Sequence, residues 1–320
     1  MNVSAFNETA EDGDISQRAF ILADSDEPRG KQISDILRAA AGNTLVVQHE
    51  QQSRRELLDV VSVVDGADRT DLALRDTAQV ADFLRAQTFP VTIDISCLPH
   101  AVWSAFVRGA VHHKVPLTAW YVEPSRYETE DAQIRNGRYL SRSVGGAGPL
   151  PGFSTLATGG SGDRTIVFLL GFEGSRLGHM AAALDAFGAR VHAVVADPGF
   201  KDEYVATAMK GNLQALSRLG ISPNVHLERV PANEPLEIVR LLDRLGKDDG
   251  SEMIVVPLGP RTHALGAVIY YLQRELEGNH MPKLVYDHAV RNPQGSSGMG
   301  RIFSYSVLGL ISARADNVEI

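Results

Sequence analysis

The feature that most constrains the fold is a regular alternation of short apolar runs and helix-patterned segments in the second half of the chain. The run at 165–170 predicts a strand covered on both faces, because its residues 166–170 are all apolar. Strands that alternate with helices predict right-handed crossovers and a parallel sheet. The predicted strands are 165–170, 190–196, 225–230, 253–258, 283–286 and 302–308, and the predicted helices are 174–187, 203–219, 236–245 and 262–276.

The first half of the chain repeats this order with weaker signals. Its predicted strands are 19–23, 44–48, 91–95 and 117–122, and its predicted helices are 31–41, 53–64, 76–86 and 100–112, with a polar turn at 68–71. Residues 95–102 align without gaps on residues 258–265, and in both segments a strand leads into a turn, a His-Ala pair and an apolar helix. We therefore predict an α/β protein with two tandem Rossmann-like parallel-sheet domains related by internal duplication.

A segment rich in glycine, serine and proline at 143–163 separates the two predicted domains, which cover 18–142 and 164–320. Residues 1–17 are polar and acidic, and this composition predicts a disordered tail rather than a signal peptide. The central segment is interpreted as a flexible linker or, alternatively, as a loop that folds over a ligand. Phe153 favours the second interpretation, because it is a large apolar side chain in an otherwise small and polar stretch.

Charge and cysteine content exclude several classes of partner. The net charge is −8 and the chain has no run of lysine or arginine, so nucleic acid is not expected as a main partner. The single cysteine, Cys97, excludes an internal disulfide and a cysteine-rich zinc site, which fits a cytoplasmic location. No apolar run is long enough to span a bilayer, so we expect no membrane partner.

The first candidate site follows the strand at 165–170, where glycines and polar residues lead into a helix. Gly171 and Gly174 would let the backbone approach an anion, and the next helix offers unpaired amides to it. Ser175 and Arg176 would add direct contacts to the same ligand. Glu173 is a candidate catalytic acid, although a plain helix-start turn with Glu173 in its first turn explains the pattern equally well.

Asp197 ends the second strand of this half. An acidic residue at that place holds ribose hydroxyls in dinucleotide sites, so Asp197 is a candidate for ligand binding and for catalysis. The glycine spacing before it differs from the dinucleotide fingerprint. This part of the prediction therefore rests on position along the chain rather than on a motif.

The second candidate site is the turn after the strand at 253–258. Gly259 fixes the backbone just before a helix, and Arg261, Thr262 and His263 lie in the first helical turn, where side chains and amides hold anions. Thr262 is alternatively a helix cap, and His263 is alternatively a buried histidine or a catalytic group. His100 holds the equivalent place in the first half.

Three further positions complete the candidate set. Asp287 and His288 follow the strand at 283–286, so Asp287 is a candidate catalytic group and His288 a candidate ligand contact. Ser96 is the counterpart of Gly259 in the first half and is also a candidate ligand contact. Cys97 lies near His100, although a lone cysteine after a strand is more often inert. No spacing of histidines or carboxylates matches a metal site.

The turn at 255–266 (Val-Val-Pro-Leu-Gly-Pro-Arg-Thr-His-Ala-Leu-Gly) resembles the CRISPR-associated Rossmann fold (CARF) sensor domains, and so does the turn at 93–100. The resemblance implies a ligand site after the fourth strand and binding of cyclic oligonucleotides by a two-fold pair of Rossmann units. The usual Thr-Gly-Gly-Thr-Lys signature of that family is absent here. The first half has Ser96-Cys97 in its place, and the second half has Gly259-Pro260-Arg261.

These observations predict a ligand-sensing or accessory protein that binds a nucleotide-like anionic small molecule, in a bacterial defence or signalling assembly with other protein subunits. No cofactor is identified, and a nucleotide is the candidate. One alternative is a nucleotide- or NAD-linked transferase or hydrolase that uses Glu173, Asp197, His263 or Asp287. The other is a protein-binding scaffold. Rossmann-like sheets serve all three functions, so the fold does not choose among them.

Overall fold

The computed structural model describes residues 14–48, 59–127, 140–153, 164–220, 225–247 and 252–313. The fold is α/β, and each of its two main sheets is built around parallel strands. The chain divides into two compact units, of which the first contains Met1–Glu128 with Pro293–Ile320 and the second contains Thr129–Asn292. Among the described residues, no helix has both the length and the apolar character that crossing a membrane requires.

The first unit has a seven-stranded sheet. Its strands are β1 (Ala19–Ala23), β2 (Asn43–Gln48), β3 (Val60–Asp65), β4 (Asp68–Ala73), β5 (Val91–Asp94), β6 (Thr118–Tyr127) and β15 (Ser296–Ser306), and its helices are α1 (Pro28–Ala40), α2 (Thr77–Arg85), α3 (His100–His112) and α8 (Val307–Ser312). The strand order is β15-β6-β5-β1-β2-β3-β4. The four central strands are parallel, whereas β15, β3 and β4 run antiparallel to their neighbours.

The hairpin formed by β3 and β4 corrects two predictions, a helix over 53–64 and a polar turn at 68–71. Four valines in β3 favour an extended backbone, and β3 pairs with both β2 and β4. Asp65 pairs with Asp68 across a two-residue loop, in which Gly66 takes a φ of 59°. The part of the predicted helix at 53–58 lies outside the described residues.

The predicted strand at 302–308 instead runs from Ser296 to Ser306, since Val307 begins α8, and it does not extend the second sheet as predicted. This strand, β15, pairs antiparallel with β6 over most of its length. The chain therefore returns to the first unit after it has completed the second. The predicted domain at 164–320 therefore ends too late in the chain, because local patterns do not reveal which sheet a strand joins.

The predicted tail at 1–17 is only partly described. Ile15–Gln17 form a short 3-10 turn, and the side chain of Asp14 caps it by accepting a hydrogen bond from the Ser16 amide at 2.9 Å. Ile15 is buried with Phe20 and Leu37 in the core of the first unit. The predicted disorder is therefore wrong for these residues, because an apolar side chain anchors them, while residues 1–13 lie outside the description.

The second unit has the strand order of a Rossmann fold. Its strands are β7 (Ser141–Ser143), β8 (Gly148–Pro149), β9 (Arg164–Leu169), β10 (Arg190–Ala196), β11 (Val225–Val230), β12 (Glu252–Pro257), β13 (Lys283–Tyr286) and β14 (Val290–Arg291), and its helices are α4 (Gly174–Ala183), α5 (Asp202–Leu219), α6 (Pro235–Leu245) and α7 (Arg261–Leu276). Strands β11-β10-β9-β12-β13 are parallel neighbours. The order of the strands reverses between β9 and β12, and ligands of open α/β sheets bind beyond the strand ends at such a point.

The segment 140–153 is packed against the second sheet over its described length. Strand β8 adds antiparallel to β13, and β7 forms a separate two-stranded sheet with β14. Phe153 is fully buried, and its ring meets the ring of Tyr271 edge-on with centroids 5.0 Å apart. Packing of Phe153 thus favours the interpretation of a folded loop over that of a flexible linker for these residues.

Candidate functional site

Two loops meet at the carboxyl edge of the second sheet, one after β9 and one after β12. A Cβ built on Gly171 would overlap the carbonyl oxygen of Leu258, and one built on Gly259 would overlap that of Leu170. The absence of a side chain at the two glycines therefore allows the two loops to pack closely. The loops lead directly into α4 and α7, so the two helices begin at neighbouring points of this edge.

Gly174, the first residue of α4, also serves packing. A Cβ at this position would overlap the carbonyl oxygen of Gly211 in α5. The side chain of Asn212 then donates a hydrogen bond to the carbonyl oxygen of Gly171 at 2.7 Å. Contacts from α5 thus hold the turn after β9 in place. The candidate ligand contact Ser175 lies in the first turn of α4 and is partly exposed.

The central contact of the site is an ion pair between Arg176 and Asp287. Nε of Arg176 lies 2.6 Å from Oδ2, and Nη2 lies 2.7 Å from Oδ1, so the guanidinium meets the carboxylate at two points. Nη1 of Arg176 donates to the carbonyl oxygen of Leu258 at 3.1 Å. The side chain of Arg176 is 12% exposed and that of Asp287 is fully buried. The pair joins the loops that follow β9, β12 and β13.

Glu173 is held by the segment that covers this edge. Its Oε1 accepts hydrogen bonds from the amides of Leu140 and Ser141, at 3.1 and 3.0 Å. Its Oε2 accepts a hydrogen bond from the Ser141 hydroxyl at 2.7 Å and lies 3.9 Å from Nη1 of Arg176. The buried carboxylate of Glu173 therefore accepts three hydrogen bonds, which attach residues 140 and 141 to the start of α4.

Three arginines act on the partly exposed ring of Tyr286, the last residue of β13. Burial raises the pKa of Tyr286, and the positive charges of Arg176, Arg261 and Arg291 oppose this rise, whereas the charge of Asp287 adds to it. The guanidinium carbon of Arg176 lies 5.8 Å from the ring centroid. The ring of Tyr286 thus lies beside Arg176 at the carboxyl edge, and the charges of Arg261 and Arg291 act on its hydroxyl.

Thr262 and His263 face away from this cluster, toward the loop after β11. The Thr262 hydroxyl donates a hydrogen bond to the carbonyl oxygen of Ala232, and Nε2 of His263 lies 3.0 Å from that of Pro231. His263 is fully buried, and burial lowers its pKa to about 4. The imidazole is therefore neutral near pH 7, and its Nε2 donates to the carbonyl. These contacts fasten the start of α7 to the neighbouring loop.

Asp197 and His288 also have partners within the second unit. Asp197 forms an ion pair with Arg229 of β11 at 2.6 Å. His288 has a left-handed backbone with a φ of 44°, and burial lowers the pKa of its imidazole. The side chain and the carbonyl of His288 lie against Gly145, which leaves no room for a Cβ there without a shift. The four catalytic candidates each have a partner inside the second unit, through an ion pair or a hydrogen bond: Glu173, Asp197, His263 and Asp287.

The candidates of the first half lie at the carboxyl edge of the first unit. Ser96 is fully buried, and its hydroxyl accepts a hydrogen bond from the amide of Val122 at 2.7 Å. Its amide in turn donates to Asp94 at 2.8 Å, which explains how that buried carboxylate is stabilised. His100 is buried with its ring 5.4 Å from that of Trp103.

An ion pair between Glu27 and Arg29 lies at the same edge of the first unit. Nη2 of Arg29 lies 2.8 Å from Oε1 of Glu27 and donates to the carbonyl oxygen of Ser96 at 3.2 Å. The hydroxyl of Ser296 donates to Oε1 of Glu27 at 2.6 Å. The thiol of Cys97 is 3.9 Å from the other carboxylate oxygen.

The two units share this arrangement of groups. In each unit a glutamate directly precedes the helix that follows a central strand, and an arginine lies in the first helical turn, as Glu27 with Arg29 and as Glu173 with Arg176. In each unit the arginine donates to the loop after the neighbouring strand, and the glutamate accepts from a serine hydroxyl.

Sequence reasoning missed Ser141, Tyr286 and Arg291 as members of the site. Tyr286 and Arg291 flank the predicted pair Asp287 and His288, so their position at a strand end was an available signal. Ser141 had no such signal, because only the folded chain brings it to Glu173.

Across the described residues, no group of three histidine, cysteine, aspartate or glutamate side chains is placed to hold a metal ion. Comparison of the chain with protein-family models, with curated proteins and with solved structures found no match.

Proposed function

We propose that the carboxyl edge of the second unit binds a nucleotide-like anionic small molecule, in a sensing or accessory role. The observation that carries the proposal is the ring of Tyr286 at the end of β13, which lies 5.8 Å from the guanidinium carbon of Arg176 at the edge where α7 begins with Arg261 and β14 ends with Arg291. Arginine binds phosphate oxygens through paired, charge-assisted hydrogen bonds, and an aromatic ring offers a stacking surface for a base. The combination suits a nucleotide better than a simple inorganic anion.

The arginines have different parts in this proposal. Asp287 neutralises Arg176 through two short contacts, so Arg176 orders the edge and presents its charge weakly. Arg261 is largely buried in the first turn of α7, where the helix dipole adds to its positive charge. Arg291 lies in β14 beside the covering segment. We assign the phosphate contacts to Arg261 and Arg291.

The likeness of the two edges supports the proposed duplication. A glutamate before the helix that follows a central strand and an arginine in its first turn recur in each unit, and each glutamate accepts from a serine hydroxyl, although Ser296 lies on the edge strand β15 and Ser141 on β7. On this basis we propose a tandem, CARF-like sensor that serves a bacterial defence or signalling assembly. We infer the ligand class from the second unit alone. In the first unit the loop after β1 contains Asp24, Asp26 and Glu27, whose negative charges disfavour an anion.

Isothermal titration with linear and cyclic nucleotides tests the proposal. We expect saturable binding by the wild-type protein, and we expect Arg261→Ala to weaken it by about 1–3 kcal/mol if the arginine makes a charged hydrogen bond. Arg240→Ala is the matched control, since Arg240 lies on α6 in an exposed pair with Glu237. Absence of binding across the panel contradicts the proposal, and so does an equal loss in both variants. Chemical conversion of a bound nucleotide contradicts the sensing role.

A further inference from the structure

A short segment of the second unit, residues 140–149, covers the proposed ligand edge, and we call it the strap. Its strand β7 pairs with β14, and its strand β8 pairs with β13. Between them, the amide of Gly145 donates to the carbonyl oxygen of Asp287 at 3.0 Å. The strap therefore lies along the strand ends and loops that carry Tyr286, Asp287 and Arg291.

Few backbone contacts hold the strap, because both of its strand pairings are short. The chain beyond the strap is fixed differently, since Leu150 and Phe153 are buried in the apolar interior. Apolar burial thus anchors one end of the segment, whereas hydrogen bonds hold the other. At that other end, Glu173 accepts three hydrogen bonds from Leu140 and Ser141.

The same end of the strap is bonded to the strand that carries Arg291. Ser141 pairs with Arg291 in the register of β7 and β14, and the amide of Asn292 donates to the carbonyl oxygen of Leu140 at 2.8 Å. Glu173 therefore reaches Arg291 through a continuous path of hydrogen bonds. At the far end of the strap, Gly148 lies opposite Tyr286.

We infer that Glu173 is a positioning residue that latches the strap and thereby fixes β14, with its Arg291, at the proposed ligand edge. The consequence for affinity rests on the proposed function, whereas the latch itself does not. Glu173 is buried, and a carboxylate in that position needs its donors, so release of the strap is unfavourable while the carboxylate is intact.

A purely electrostatic role of Glu173 and a role in holding the strap predict opposite effects of Glu173→Gln on ligand affinity. Measuring that affinity therefore distinguishes the two roles. Glu173 carries a negative charge 3.9 Å from Arg176. If it acted only through this charge, Glu173→Gln would strengthen the binding of an anion. If it acts as the latch, Glu173→Gln weakens binding, because Arg291 loses its fixed position.

Hydrogen exchange tests the latch without any ligand. We expect Glu173→Gln to speed exchange of the amides of Leu140, Ser141 and Asn292 by about tenfold, the effect of losing one good hydrogen bond. Ser141→Ala removes one donor and should give a smaller change in the same direction. Glu27→Gln is the control, because it alters the corresponding carboxylate of the first unit. Unchanged exchange at the strap in Glu173→Gln overturns the latch.

Titration with ATP tests the coupling to Arg291. In the wild-type protein we expect Arg291→Ala to weaken ATP binding by about tenfold, and in the Glu173→Gln background we expect it to have almost no further effect. Equal effects of Arg291→Ala in both backgrounds overturn the positioning role, as does tighter binding by Glu173→Gln. If no nucleotide binds the wild-type protein, the proposed function fails, and the exchange experiment still decides the latch.

Discussion

Arg176 and Asp287 meet through two hydrogen bonds of 2.6 and 2.7 Å, with the carboxylate fully buried. The two residues are 111 positions apart in the chain, and the pair joins the first turn of α4, which follows the first parallel strand of the second sheet, to the loop after the last. An ion pair in this position fixes the edge at which we place the ligand.

Asp287→Asn should therefore lower the free energy of unfolding by about 3–5 kcal/mol, since it leaves the guanidinium of Arg176 with an uncompensated charge. Asp197→Asn is the control, because its partner Arg229 is 67% exposed and such pairs contribute about 1 kcal/mol or less. Urea-induced unfolding of both variants measures the difference. A small and equal loss in the two variants would contradict a structural role for the buried pair.

The buried imidazole of His263 predicts a loss of stability in acid. Its pKa is lowered to about 4 by burial, whereas an unfolded histidine has a pKa of about 6.5, so the unfolded chain binds the proton first. The stabilisation is present above pH 6.5 and falls by about 3 kcal/mol as the pH drops to about 4.

Unfolding of the wild type and of His263→Gln across this range checks the pH dependence. The variant should lose less stability between pH 6.5 and 4, whatever its stability at neutral pH. His226→Gln, at an exposed position on β11, serves as the control. Parallel pH profiles for the wild type and His263→Gln would show that another group is responsible.

Substitutions at two glycines should change stability in opposite directions. Gly259→Ala forces a methyl group against the backbone carbonyl of Leu170 and should cost about 1–3 kcal/mol or more. Gly178 lies inside α4 with open space around it, so Gly178→Ala should stabilise the protein by about 0.5–1 kcal/mol. Thermal unfolding compares the two, and a stabilised Gly259→Ala variant would refute the close packing of the loops.

Phe153 distinguishes a packed segment from a linker. Phe153→Ala should lower the free energy of unfolding by about 3–5 kcal/mol, since a fully buried ring against Tyr271 is lost. Leu276→Ala is the control at a half-exposed position, where changes stay within about 0.5 kcal/mol. A flexible linker would instead tolerate both substitutions equally, which denaturant unfolding would reveal.

The parallel core of the second unit was predictable from sequence because its central strands β9 and β12 are largely apolar and its strands alternate with helix-patterned segments. The observed bounds of strands β10, β11 and β13 are the predicted ones, and so are those of helix α3 in the first unit. In these segments the local pattern and the tertiary environment agree, so periodicity alone is sufficient.

The hairpin β3–β4 and the strand β15 were not predictable in the same way. Polar residues dominate β4, and its extended backbone depends on pairing with β3. The place of β15 depends on its pairing with β6, which lies far away in the chain. Local patterns contain no information on either partner.

The sequence predicted that the candidate residues lie at strand ends, but it did not predict which of their side chains contact each other. Arg176, Asp287, Arg261 and Glu173 were each expected at strand ends, and the sheet order brings those ends together at one edge. Which of them pair with each other depends on side-chain directions. Arg176 was expected to bind a ligand directly, and its guanidinium instead meets an internal carboxylate.

The return of the chain through β15 has a consequence for biosynthesis. Every strand of the second unit is translated before Ser296–Ser306, so most of the second sheet is able to form while the first still lacks its edge strand. Until then β6 presents an unpaired side to other nascent chains. The part of the protein that is translated first is thus the part that is finished last.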